Sequence, residues 1–185
     1  MPELVTIGHS TQSSEEFLAT LVEARIQLLA DVRRYPGSRR VPWTNLSELE
    51  PLLATRSIGC RHFAALGGRR RPSEASANDA WRNAQFRGYA DHMGSAEFAA
   101  ELAELEVEAR LRRTAVMCAE APWWRCHRRM LSDALVVRGW RVVHLDPRGK
   151  PTEHKLTSFA TVDGALVRYP GPEVRSGAEA TPITT

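Results

Sequence analysis

At 185 residues, 43% of them hydrophobic and 25% charged, the chain has the size and balance of one ordinary globular domain with a substantial core. No apolar run approaches the roughly 18 residues of a membrane span, and Met1-Pro2-Glu3-Leu4-Val5 lacks the basic region and apolar stretch of an export signal, so no membrane partner and a cytoplasmic location are expected. The formal charge of +3 is modest, which leaves the placement of its arginines more informative than their number.

Leu4-Val5-Thr6-Ile7 predicts a first strand ending in Gly8-His9-Ser10. A helix follows: Ser13 and Glu16 have capping-box spacing, and Phe17, Leu18, Leu21, Val22 and Ala24 form its apolar stripe. Residues 26–32 read as a second strand that delivers Asp31, Arg33 and Arg34 into the loop Tyr35-Pro36-Gly37-Ser38. Strand, helix and strand in that order imply a parallel pair with a right-handed crossover. Asn45 and Glu48 cap a short helix reaching about Thr55, and Cys60-Arg61-His62-Phe63 reads as a third strand.

Residues 66–83 turn to Gly, Arg, Pro, Ser and Ala without a period, which predicts a long loop of the kind that often carries function. Helix resumes over residues 86–93, and Phe98, Leu102, Leu105 and Ala109 mark a longer amphipathic helix. Thr114-Ala115-Val116-Met117 then reads as a buried strand, and Met130, Leu131, Ala134, Leu135 and Val137 as a helix stopped by Gly139. A strand over residues 141–145 follows, then a hairpin signal at Asp163-Gly164 and a flexible tail over residues 176–185. The expected architecture is α/β and three-layered, with a mainly parallel sheet of about four or five strands flanked by helices. It forms a single domain over residues 1–175 with a hairpin-like C-terminal extension.

Between the buried strand and its helix, residues 117–129 hold Cys118, Glu120, Cys126, His127 and three arginines. Open α/β sheets place ligands beyond strand carboxyl ends, so Cys118 and Glu120 are expected to share a crevice with His9 and Ser10 from the first strand and Asp31 and Arg33 from the second. Cys126 near a helix start, beside Arg125, His127 and Arg128, suits a lowered thiol pKa. Glu120 is the first choice for acid/base chemistry, and Cys60, without a polar cluster, is assigned to structure.

Three cysteines without an export signal argue against a disulfide framework and leave metal chemistry open. Zinc or iron on Cys118, Cys126 and His127 is disfavoured by sequence, because seven residues separate the thiols and adjacent Cys and His side chains diverge on a helix. No cofactor is predicted. A cysteine phosphatase loop, C-x5-R, also fails, since the sixth residue after Cys118 is Trp124 and Arg125 comes one later. Gly67-Gly68-Arg69-Arg70-Arg71 offers a phosphate-binding loop of paired glycines and guanidinium forks, but it is not a Walker loop.

The motifs Thr6-Ile7-Gly8-His9-Ser10, Asp31-Val32-Arg33 with Pro36-Gly37-Ser38-Arg39, Leu66-Gly67-Gly68, Phe86-Arg87-Gly88-Tyr89-Ala90, and Met117-Cys118-Ala119-Glu120 with Cys126-His127-Arg128 resemble the DUF488 family of bacterial and archaeal proteins, over about residues 4 to 170. The resemblance implies a compact α/β domain and marks these positions as a shared set; it names no substrate.

The expected function is an enzyme, a hydrolase or group transferase, acting on a phosphate-bearing or nucleobase-containing substrate, with nucleic acid as a further partner class. Glu120, Cys118, Cys126, His9 and Asp31 are the catalytic candidates. Ser10, Arg33, Ser38, Arg39, Gly67, Gly68, Arg69, Tyr89, His127 and Arg128 are the ligand-binding ones. A non-catalytic nucleic-acid-binding module, or a metal-dependent enzyme or sensor using Cys118, Cys126 and His127, is the alternative.

Overall fold

Residues 4–8 are buried without alternation, the signature of a strand covered on both faces. In the computed structural model, which describes residues 1–146 and 150–172, this strand, β1 (Glu3–Gly8), lies inside a six-stranded sheet. The capping box forms as expected at α1 (Ser14–Glu23): the Ser13 hydroxyl accepts from the Glu16 amide, and the Glu16 carboxylate accepts from the Ser13 amide.

β2 (Leu28–Asp31) and α2 (Leu46–Ala54) follow, then β3 (Gly59–His62), α3 (Ala84–His92) and α4 (Ala96–Leu111). β4 (Thr114–Cys118), α5 (Arg128–Val137), β5 (Arg141–Leu145) and β6 (Pro151–Glu153) complete the sheet elements. The strand order is β3-β2-β4-β1-β5-β6, parallel except for β6, which runs against β5.

Two details differ from the sequence reading. β1 and β2 are parallel but do not pair, because β4 inserts between them. β6 escapes a pattern-based reading because its three residues are all exposed and begin with proline. The insertion of β4 matters for function: it brings the carboxyl ends of β1, β4 and β2 side by side.

Side-chain alternation divides the core into two layers. Leu4, Ala30, Val116 and Val142 face a cluster with residues of α3, α4 and α5, while Val5, Ile7, Leu29, Ala115 and Met117 face α1 and α2. The C-terminal hairpin, β7 (Thr161–Asp163) and β8 (Leu166–Arg168), turns at Asp163-Gly164 as expected, with Gly164 at a φ of 60°. Val167 and Tyr169 from this hairpin join the first cluster.

Residues 67–83 form the predicted long loop, tied down by Asp91. Its carboxylate accepts from the Ser73 amide and hydroxyl, the Ser76 hydroxyl and the Asn78 amide group. Among the described residues no helix is long and apolar enough to cross a membrane. The tail expected over residues 176–185 lies outside the described residues.

Candidate functional site

β4 ends at Cys118, and the chain then leaves the sheet, makes a short 3-10 turn at Trp123–Arg125 and enters α5 at Arg128. Cys126 is extended, with φ −124° and ψ 154°, and His127 stands at the position just before the helix, its side chain making no capping hydrogen bond. The two residues therefore do not sit within a helix, and their side chains converge. The His127 Nδ1 lies 3.6 Å from the Cys126 sulfur and 3.8 Å from the Cys118 sulfur. The His127 Nε2 is 3.2 Å from the Val32 carbonyl oxygen, an acceptor, so Nε2 holds the proton and Nδ1 presents a lone pair.

The two thiols are electrostatically unequal. The hydrogen bond with Cys126 and then burial hold the Cys118 thiol well above its ordinary range. At Cys126 burial opposes ionisation, but the hydrogen bond from Cys118, then His127 whenever its ring carries a second proton on Nδ1, then the Arg128 charge, outweigh it and bring this thiol well below the ordinary range.

Arg128 is fully buried beneath this turn. One Nη donates to the carbonyl oxygens of Glu120 and Ala121, fixing the chain just beyond Cys118, while Nε and the other Nη have no hydrogen-bond partner among the described residues. β1 approaches the same carbonyl. Gly8 leaves room for it, and a Cβ there would run into the Glu120 oxygen.

Above the thiols opens a cavity of about 270 Å³, walled by His9, Arg34, Tyr35, Arg69, Phe86, Glu120 and Arg125 and floored by Cys118, Cys126 and His127. His9 is 3% exposed. Its Nδ1 bonds the Ser10 carbonyl oxygen at 2.9 Å, which leaves Nε2 as a lone pair, and this atom has no partner among the described residues. Burial lowers the His9 pKa, so the ring is neutral at pH 7.

Among the described residues Arg69 and Arg125 form no ion pair with a carboxylate. Arg69 and Ser10 both hold left-handed backbone, at φ 58° and 48°, a conformation that non-glycine residues adopt at a cost.

Residues 13–135, well over half of the sequence, match the family described as Domain of unknown function DUF488. The chain belongs to the DUF488 family. No curated protein and no solved structure matches it. The matched segment of this DUF488 chain includes the Cys118–His127 junction and Arg69, whereas His9 lies before it.

Nine of the expected site residues of the DUF488 chain meet at the cavity: His9, Arg33, Ser38, Gly68, Arg69, Cys118, Glu120, Cys126 and His127. The others serve them from behind or lie apart. Asp31 is buried with both carboxylate oxygens engaged by the Arg33 guanidinium, which also donates to the Thr44 carbonyl oxygen, so the pair braces the β2 exit.

Tyr89 is buried, donates to the Leu66 carbonyl oxygen at 3.0 Å, and packs its ring 5.0 Å from that of His127. Gly67 packs against the backbone of Arg34, where a Cβ would come within 2.5 Å of the Arg34 nitrogen. Arg39 is exposed and Ser10 half-buried, neither lining the cavity. Arg34, Tyr35, Gln85, Phe86 and Arg125 also line it without having been chosen from sequence as site residues. The motif Phe86-Arg87-Gly88 was the available signal for Phe86.

Proposed function

We propose that this DUF488 chain is an enzyme that hydrolyses, or transfers a group from, a small phosphate-bearing or nucleobase-containing substrate. The observation that carries this reading is the meeting, in one cavity, of arginines without carboxylate partners among the described residues and a buried imidazole nitrogen without a hydrogen-bond partner.

Arg34, Arg69 and Arg125 hold the anion, as guanidinium forks match phosphate oxygens. Tyr35 and Phe86 offer ring faces to a base. The His9 Nε2 lone pair accepts the proton of an attacking water or hydroxyl, and Glu120, exposed at the wall, serves as a second proton carrier.

A cavity of about 270 Å³ favours a small molecule over a tracked nucleic-acid strand, which ranks the non-catalytic nucleic-acid module second. Free Cys60, Cys118 and Cys126 suit the reducing cytoplasm.

Calorimetric titration with pyrophosphate and nucleoside monophosphates tests the reading. Binding should weaken about tenfold in Arg69→Ala and again in Arg125→Ala. With a turned-over substrate in hand, His9→Gln should lower kcat about a hundredfold or more with little change in KM. Equal binding by the double arginine variant would sink the assignment. Oligonucleotide binding that needs Arg69 to Arg71 but neither His9 nor Glu120 would move it to the binding module.

A further inference from the structure

We infer that Cys118, Cys126 and His127 form a three-ligand zinc(II) site at the floor of the cavity, with the fourth coordination position open to the substrate. The three donor atoms lie within 4.8 Å of one another. Tetrahedral zinc with bonds of about 2.3 Å to sulfur and about 2.0 to 2.1 Å to nitrogen sets its sulfur and nitrogen ligands about 3.6 Å apart. The Nδ1 to sulfur distances here are 3.6 and 3.8 Å.

The tautomer of His127 fits the same role. Its Nε2 hydrogen is directed at the Val32 carbonyl oxygen, the outer partner that fixes a ligating imidazole and aims the other nitrogen at a metal. In a metal-free pocket that Nδ1 lone pair would face only two sulfurs, which are weak donors.

The scaffold holds the ligands before any metal arrives. Cys118 is the buried last residue of β4, and Cys126 and His127 enter from the turn whose neighbouring carbonyls Arg128 secures. The buried Arg128 guanidinium has no carboxylate partner among the described residues, so it faces no competitor for the negative charge that two thiolates bring. Two thiolates and one imidazole select zinc over hard divalent ions. Because all three ligand residues line the cavity, a water or a substrate oxygen has access to the fourth position, the arrangement of catalytic rather than structural zinc.

The test uses the full chain, stripped with a chelator and dialysed against zinc(II) or cobalt(II). Elemental analysis should find one zinc per chain, and cobalt should give the intense near-ultraviolet thiolate charge-transfer absorption together with tetrahedral visible bands. Cys118→Ser and Cys126→Ser should each lower the zinc affinity at least a hundredfold, while Cys60→Ser, on β3 and outside the cluster, should bind as the parent does. Absence of stoichiometric zinc in the parent chain, or cobalt spectra without thiolate absorption, would overturn the site. That decision rests on the parent chain and stands even if a variant fails to fold. Metal uptake is read without substrate, so its failure and a failure of anion binding at Arg69 and Arg125 are separately visible.

Discussion

His144 and His154 meet through a 2.9 Å contact between Nε2 of the first and Nδ1 of the second, both rings buried. His154 Nε2 lies 2.8 Å from an Asp133 carboxylate oxygen, and the Thr6 hydroxyl lies 2.6 Å from His144 Nδ1. One proton arrangement satisfies every atom: Thr6 donates to His144, His144 to His154, and His154 to Asp133, with both rings neutral. Asp133 also accepts from the Thr157 amide and the Tyr169 hydroxyl. The chain ties β1 and β5 to α5 and the C-terminal hairpin. Trp123 stacks on His144 at 4.1 Å, so the same network supports the turn that delivers Arg125 and Cys126.

Acid should break this network. Burial first, then repulsion from His154 whenever that ring is protonated and from the Arg128 charge, pushes the His144 pKa from 6.5 to about 2. Below pH 6.5 the unfolded chain takes up a proton that the folded one refuses, so the contribution is whole above 6.5 and is lost progressively as pH falls toward 2. Between pH 7 and pH 5 this single group should remove about 2 kcal/mol of stability. Urea unfolding at both pH values measures it, and in His144→Gln the pH slope should be shallower. An unchanged slope would place the acid sensitivity elsewhere.

Asp133 gathers three donors in a region with no solvent to replace it. Asp133→Ala should cost about 3 kcal/mol or more, since the His154, Thr157 and Tyr169 donors all lose their acceptor. Asp133→Asn keeps the shape and one acceptor oxygen and should lose clearly less. Thermal unfolding of both variants decides, and equal losses would mean that packing rather than hydrogen bonding dominates there.

The parallel strands, the capping box and the strand-end crevice were legible because periodicity, cap chemistry and sheet topology are local or nearly local signals. The convergence of Cys126 on His127 was not, because it depends on an extended residue between a 3-10 turn and a helix, a conformation that spacing rules for ligands on one helix do not anticipate. Asp31 carried the same signal as Glu120, an acid beyond a buried strand. Which of them would face the cavity was decided by the position of Arg33, whose guanidinium closes over Asp31. The His144, His154 and Asp133 chain has no motif at all, and its link to Thr6 spans 138 positions of sequence.

Gly8 tests how tightly β1 is held against the site. Its Cα faces the Glu120 carbonyl oxygen that Arg128 grips, and an added methyl has backbone, not a flexible side chain, in its way. Gly8→Ala should cost about 3 kcal/mol or more. Gly37→Ala, where nothing lies within 4 Å of the new Cβ, should stay within about 0.5 kcal/mol of the parent. Chemical denaturation of the pair checks it, and equal stability would show that the Glu120 segment yields freely.

Gly68 covers the metal-facing nitrogen of His127. A Cβ there would stand 2.8 Å from Nδ1 and 3.1 Å from Cγ, so the imidazole must turn or withdraw. The glycine is not in the left-handed region, and alanine is therefore accepted by its backbone. Gly68→Ala should leave the urea midpoint nearly unchanged while lowering zinc affinity about tenfold or more, as displacement of a ligating histidine does. Competition with a chromophoric chelator measures the affinity. Parent-like zinc binding in this variant would mean that His127 does not present Nδ1 to the metal from the position it holds beneath Gly68.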